Sequence, residues 1–396
     1  MQKEEEWRKI INNRGLTLLF LSRLFGFPLP FLFVAYLGVT PNINPFYVLF
    51  SAAAALSGIC SSIIEVHTIR IYEGRPEATQ YNSVLSVFLF GSIFSSIFLI
   101  FAWTCYRNSD YLIPILCMSI VPIGNGVQGY LNAISLLRKK YFSTITFNLI
   151  RVIVITFTVI IYHSAVAISI GILLAELLRI LFILSVTFAH RFSQNQNFAL
   201  LGSSLKQTIS SLFSSLNPVG DRFIVERFNL GSVGILDIAE KSISILSLIF
   251  SLGILPSIST KLMAPDADRF FLMVTRRIFY VYISISAIGI IVGFCTIHYI
   301  HIENDNLQQF ILLASLYSIC LVFVTSNQLS VRYLVLHGCI RNVTTSSFFV
   351  LLLNISLDLI LLTHIGVYAI PIASLVAYAV GAFLNFNSAK RIRSKY

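Results

Sequence analysis

The stretch NPVGDRFIVERFNLGSVGILDIAEKS, Asn217 to Ser242, holds seven charged side chains in 26 residues: Asp221, Arg222, Glu226, Arg227, Asp237, Glu240 and Lys241. Only 11% of the 396-residue chain is charged, and 56% is hydrophobic. The mean hydropathy is +0.83. A soluble domain has no use for so much apolar side chain, so the bilayer is the expected solvent. The charges then sit in or beside segments that must cross it, and their pairing becomes the central question.

Working outward, apolar runs of about 20 residues recur along the whole chain, the length needed to cross about 30 Å of hydrocarbon. They number about twelve, over roughly 15–38, 44–64, 83–104, 110–134, 143–162, 165–189, 207–227, 232–255, 276–299, 308–330, 344–363 and 365–386. The runs are too long for strands and lack barrel alternation. The expected fold class is all-α, a polytopic membrane protein of about twelve transmembrane helices.

The net charge of +11 is distributed by side. Alternate connections carry Arg70 and Arg75; Arg138, Lys139 and Lys140; Arg191 and Lys206; Arg276 and Arg277; Arg332 and Arg341; the opposite connections offer only Arg107 and Arg227. By the positive-inside rule both termini are cytoplasmic, as an even span count requires. The basic balance is thus topology and implies no nucleic-acid partner. The opening MQKEEEWRKIINNR has no small-residue cleavage site, so the first span reads as retained. Its Glu4–Arg8 and Glu5–Lys9 spacings suit an exposed or interfacial helix. The six cysteines form no C-x-x-C pair and read as small apolar packers.

HRFSQNQNFALLGSSLKQ, from His190, is the longest polar interruption near the middle. It divides the chain into a cytoplasmic segment 1–14, a six-helix lobe 15–190, an inter-lobe linker 191–206, a second six-helix lobe 207–386 and a basic tail 387–396. Each half turns after Leu-Gly (Leu37-Gly38, Leu230-Gly231) and joins its fourth and fifth spans through a basic segment. Six spans per half is even, so the halves are parallel repeats.

Taking Asn229–Gly231 as an outer turn, Lys241 lies ten residues along the eighth helix, about 15 Å deep and near the midplane. Asp237 and Lys241 are spaced i,i+4, as are Arg222 and Glu226, which favours pairing within each helix. Each charge at that depth costs about 2.5–3.5 kcal/mol, so the group should face a wet cavity or one another. Arg23, Arg151, Glu176, Arg179 and Asp358 are further intramembrane charges. Arg23 and Arg179 also admit a purely structural reading, by pairing or by snorkelling. A cavity lined by Arg23, Arg151, Arg179, Arg222 and Lys241 suits a phosphate or pyrophosphate, whose oxygens match the guanidinium fork. Glu176, Asp221, Asp237, Glu240 and Asp358 would balance that charge or carry a coupling ion.

GNGVQG, Gly124 to Gly129, spells G-x-G-x-x-G, yet no strand precedes it and it sits in an apolar span, so it reads as close helix packing. His298, His301 and Glu303 lack a further ligand pattern and read as a wetted helix end, with no metal. No nucleophile motif appears.

The stretch from Asp221 to Leu262 resembles the seventh and eighth spans of the multidrug/oligosaccharidyl-lipid/polysaccharide exporter superfamily. The resemblance rests on Asp221-Arg222, Gly231, Ala239-Glu240-Lys241 and Leu255-Pro256 in that order. SRLFGF (Ser22 to Phe27), VQGYLNAISLLRKKYF (Val127 to Phe142) and NISLDLILLTHIGVYAIPIAS (Asn354 to Ser374) resemble its first, fourth, and eleventh and twelfth spans. About a third of the chain is covered. The resemblance implies two six-helix lobes around a V-shaped central cavity and alternating access. It points to the polysaccharide branch, whose members flip polyprenyl-pyrophosphate-linked oligosaccharides for O-antigen, lipopolysaccharide or capsule across the cytoplasmic membrane of bacteria. Partners would be the lipid-linked oligosaccharide and membrane lipids, with room for a polysaccharide polymerase. No cofactor is implied beyond a proton or sodium gradient. The related lipid II flippases place further cations after the first-span Gly-Phe and in the second span. This chain has Pro28, Leu29 and Pro30 and the neutral run SAAAALSGIC there, which argues against a peptidoglycan precursor. A drug or metabolite antiporter of the same superfamily is the alternative. The bases named above number five against four acids, or five with Asp358, which leans toward anions. An enzyme would want a large outer loop with catalytic acids, and none is present, so no enzymatic activity is expected.

Overall fold

The computed structural model describes residues 26, 28–72, 84–107, 110–138, 142–189, 199–230, 232–251, 255–258, 262, 267–300 and 304–393. No strand occurs among them. The helices are α1 (Leu29–Leu37), α2 (Asn44–Tyr72), α3 (Val84–Tyr106), α4 (Leu112–Met118), α5 (Val121–Arg138), α6 (Phe142–Tyr162), α7 (Ala165–Ala189) and α8 (Ala199–Arg227). They continue as α9 (Val233–Ile249), α10 (Leu255–Ile258), α11 (Ala267–Ile300), α12 (Asp305–Leu336), α13 (Ile340–Ile365) and α14 (Ala369–Arg393). Among the described residues, seven stretches are long and apolar enough to cross a membrane, the last of which, Ile340–Arg391, contains both α13 and most of α14. The chain is a polytopic all-α membrane protein.

Two compact units divide the chain, Met1–Ser215 and Leu216–Tyr396. The division falls inside α8, and the end of the expected linker, from Ala199, is already helical. In the first unit α2 packs along α5, and a Cβ on Gly129 would lie 2.8 Å from Ser61 Cα. Only glycine lets the two backbones approach so closely. The GNGVQG stretch is thus helix-packing sequence within α5, as its context required. In the second unit α12 packs against α9, α11 and α14, and α13 lies along α14.

Helix ends follow local chemistry. Asn229 takes a positive φ of 51° at the turn after α8, and the Ser232 hydroxyl caps α9 by accepting from Ile235 N. Asn304 caps α12, its side-chain oxygen accepting from the amides of Asn306 and Leu307. Large apolar side chains face outward where lipid would cover them, among them Ile100, Phe157, Leu181, Ile291, Phe294 and Phe383. The charges are treated in the opposite way. Glu176, Arg179, Asp221, Arg222, Asp237 and Asp358 are all buried.

Candidate functional site

In the second unit Arg222 is fully buried on α8. Its Nε donates to Asp237 Oδ1 at 2.8 Å, and its Nη2 donates to that oxygen and to Glu240 Oε2, the latter at 2.7 Å. Its Nη1 donates to the Pro218 carbonyl at 2.7 Å, one turn back on α8. The guanidinium fork is therefore spent on protein acceptors. The i,i+4 pairs expected from spacing are not the pairs formed. Arg222 crosses from α8 to α9 instead of meeting Glu226, and Asp237 serves Arg222 instead of Lys241. Glu226 approaches its neighbour Arg227 at 3.5 Å, where the arginine is exposed. The reason is dielectric. Buried away from water, a guanidinium gains more from two carboxylates on a facing helix than from one flexible neighbour on its own.

Lys241 is left half-buried on α9 without an ion-pair partner among the described residues. Beside the clamp, Asp221 Oδ1 accepts from Asn354 Nδ2 at 2.7 Å, and its Oδ2 accepts from Ser374 Oγ at 3.4 Å. The same Asn354 amide reaches Asp358 Oδ2 at 3.3 Å, so one donor group bridges two buried carboxyls. Asn354 Oδ1 and Asp358 Oδ1 are buried and accept no hydrogen bond from the protein. A cavity of about 90 Å³ opens beside Asp221, lined also by Glu240, Ser244, Ser247, Tyr317, Ser374 and Tyr378 among others. That holds a few waters or a small hydrated cation and excludes a sugar or a drug-sized molecule. Oxygen donors dominate its polar lining, and no base faces it.

In the first unit Glu176, on α7 and fully buried, joins two arginines. Arg151 of α6 reaches it at 2.9 Å and Arg179 of α7 at 3.0 Å. Arg179 Nη1 also donates to the Gly124 carbonyl and to Asn125 Oδ1, both at 3.0 Å. Arg151 retains 20% side-chain exposure and Arg179 only 1%. One carboxylate thus serves two cations, and the triad keeps a surplus positive charge. Gly124 makes room for it, since a Cβ there would overlap Glu176 Oε2. Gly124→Ala is therefore expected to push the carboxylate off Arg179 and cost about 1–3 kcal/mol. Gly126→Ala should cost less, because its Cβ would meet only the side-chain ends of Cys60 and Ile64, each at 3.1 Å. Thermal unfolding of the two purified variants compares them directly.

Among the residues anticipated from sequence, Arg23 lies outside the described residues, as do His301 and Glu303. Arg151, Glu176 and Arg179 come together in one unit; Asp221, Arg222, Asp237, Glu240 and Asp358 come together in the other. No group of three metal-binding side chains forms among the described residues. Asn354, Ser374, Tyr317 and Asn125 were missed. Asn354 and Asp358 stand i,i+4, a spacing that places both on one helix face, and that signal was readable. Ser374 and Tyr317 carried none.

No family model and no curated protein sequence matches the chain. Solved structures do. An inward-facing multidrug resistance MATE family transporter of the MOP superfamily superposes with a TM-score of 0.70 at 13% identity, over 94% of this chain and 95% of that one. Lipid II flippase MurJ in an inward closed conformation gives 0.69 at 16% identity, over 95% of this chain and 87% of that one. A MOP superfamily transporter from Pyrococcus furiosus, described by a binding pocket of reverse polarity, gives 0.65 at 14% identity over 96% and 95%. With drug transporters and a flippase alike, the likeness spans nearly the whole chain: the protein has the fold of the MOP superfamily transporters.

Proposed function

We propose that this protein is a flippase that moves a polyprenyl-pyrophosphate-linked oligosaccharide, an O-antigen, capsule or related repeat unit, across the cytoplasmic membrane of a bacterium by alternating access. The observation that carries the proposal is Lys241, a half-buried base on α9 with no carboxylate partner among the described residues, at a position that sequence spacing sets about 15 Å deep. A lone cation there is expensive unless something anionic visits it. Arg151, partly exposed beside Glu176, adds a second attraction for phosphate, and Arg179 supplies the surplus charge behind it. Arg222 has a different part. It holds α8 to α9 and positions Asp221 and Lys241 without itself meeting the head group. Both termini stay cytoplasmic, and the polyprenyl tail remains in lipid while the head group crosses a wet path. The full-length likeness to a lipid II flippase supports a lipid-linked substrate, and the neutral run SAAAALSGIC in α2 argues against a peptidoglycan precursor as the cargo.

The Asp221, Asn354, Asp358 and Ser374 cluster is the proposed coupling site. Its donors are hard oxygens, two of them with no protein hydrogen bond, and they suit a proton or a sodium ion. Asp358→Asn is expected to leave a protein that folds but whose transport no longer responds to an imposed sodium or proton gradient. Gradient-driven transport in proteoliposomes measures this, and an unchanged response would remove Asp358 from the coupling site.

One observation favours the antiporter reading. In the second unit the acids Asp221, Asp237, Glu240 and Asp358 outnumber the bases Arg222 and Lys241 at this depth, which suits a cationic cargo. Reconstituted protein decides between the two. Protected glycan on a polyprenyl pyrophosphate becoming accessible supports the flippase. Efflux of an organic cation with no glycan transfer supports the antiporter.

A further inference from the structure

Helix α11 is 34 residues long, about 51 Å, against about 30 Å of hydrocarbon. Residues 278–300 carry no Asp, Glu, Lys or Arg and by themselves cover about 34 Å. The surplus length therefore lies at the N-terminal end, and Arg276 and Arg277 stand at the level of the lipid head groups. Helix α14 reaches the same level from the other direction, with Lys390 21 residues, or about 32 Å, beyond its start at Ala369. Stacked Phe271 and Phe386 rings, 6.0 Å apart, join the two helix ends. Arg269, Arg276, Arg277 and Lys390 are all exposed. None of them pairs with a carboxylate among the described residues. The acid of the first turn, Asp268, is engaged by the Tyr333 hydroxyl at 2.6 Å.

The direction in which two of these bases lean is informative. The Arg276 guanidinium lies 5.7 Å over the Tyr280 ring, and Lys390 Nζ lies 4.9 Å over the Phe386 ring. In each case the ring is one turn nearer the centre of the bilayer. A basic side chain at the end of a spanning helix ordinarily snorkels outward to water. These two fold inward along an aromatic face, which keeps their charge in the plane of the lipid phosphates. The positive-inside rule accounts for the side of the membrane on which the bases lie, and it says nothing about an inward lean.

We propose that the ends of α11 and α14 form a docking surface for anionic phospholipid head groups of the adjacent leaflet, with Arg276 and Lys390 as the phosphate contacts. Arg269 and Arg277 extend the surface. Arg269 and Arg276 are two turns apart, about 10 Å, and Lys390 belongs to another helix. Charge spread in this way matches neighbouring head groups with one phosphate each better than a single compact pyrophosphate. Beyond Tyr280 the exposed side chains of Ile283, Ile288, Ile291 and Phe294 continue up α11 as a wall for the acyl chains. The inference is independent of the cargo assigned above.

The full-length protein, released from nanodiscs of mixed phosphatidylglycerol and phosphatidylcholine and weighed intact with its retained lipids, gives the test. Wild type is expected to retain phosphatidylglycerol selectively. A double variant, Arg276→Gln with Lys390→Gln, should lose about tenfold in that retention, with phosphatidylcholine unaffected. Both side chains are exposed, so the fold should not depend on them, and an unchanged unfolding temperature in detergent checks this. Equal retention of the two lipids by wild type, or undiminished selectivity in the double variant, overturns the proposal. Displacement of phosphatidylglycerol by an equimolar polyprenyl pyrophosphate overturns it too, since the surface would then be a landing site for the cargo.

Discussion

Lys241→Ala is expected to abolish glycan transfer in proteoliposomes while the protein inserts and folds at least as well as wild type. The two halves of that result have one physical origin. A base without a partner at hydrocarbon depth costs about 2.5–3.5 kcal/mol on insertion scales, so its removal relieves the fold. Any loss must therefore come from the transport cycle. Lys241 stands on α9 beside Asp237 and Glu240, but both carboxylates are committed to Arg222, which leaves the ammonium available to a visiting anion. Lys241→Arg should keep a measurable fraction of activity because the charge is retained. Lys241→Gln, of similar size and neutral, should behave like alanine. The antiporter reading inverts the expectation, since an organic cation moves more easily past a site that has lost a positive charge. Glycan transfer at the wild-type rate by the alanine variant would end the role assigned to Lys241.

Much of the fold was legible because a bilayer imposes so few solutions. Apolar runs of spanning length suffice to draw helices, and from residue 29 onward the described helices overlie those runs, the run at 110–134 as the two helices α4 and α5. Boundaries were less legible. Spacing placed the second helix at 44–64, yet it continues to Tyr72, and the eleventh-numbered helix begins at Ala267, well before the apolar run at 276. Hydropathy sees only the portion in lipid, whereas backbone hydrogen bonding carries a helix on into the head groups and water. The site was legible as a list and not as a wiring diagram. Residue types and depths singled out Arg222, Asp237 and Glu240, but the i,i+4 rule describes isolated helices in water. Here tertiary packing decided the partners, and no single-chain spacing could have announced that Arg222 would reach 15 and 18 residues ahead to Asp237 and Glu240. Neutral partners were harder still. Ser374 lies 153 residues from Asp221 and looks, in sequence, like any small residue of a spanning helix.

Arg222→Met should show what that wiring is worth. The substitution keeps much of the side-chain volume and removes the charge, so Asp237 and Glu240 lose their common cation in a place where water cannot replace it. Breaking a buried ion pair from one side typically costs about 3–5 kcal/mol. Asp237 is 6% exposed and Glu240 22%, so the full cost should fall on Asp237 and a reduced one on Glu240. For a unit of this size that corresponds to a fall in unfolding temperature on the order of 10 °C. The loss should propagate further. Arg222 also ties α9 to the carbonyl of Pro218, inside α8, where a proline has already removed one backbone donor from the ladder. Without the arginine the turn at Pro218 loses its brace, and Asp221, its neighbour in sequence, loses the register that sets it against Asn354. The triple variant Arg222→Met, Asp237→Asn, Glu240→Gln separates the contributions. If the damage is chiefly stranded charge, neutralising the carboxylates should restore most of the unfolding temperature. If the brace on Pro218 matters as much, the triple variant should stay close to Arg222→Met. A single variant as stable as wild type would show that the clamp is not the element holding α8 to α9.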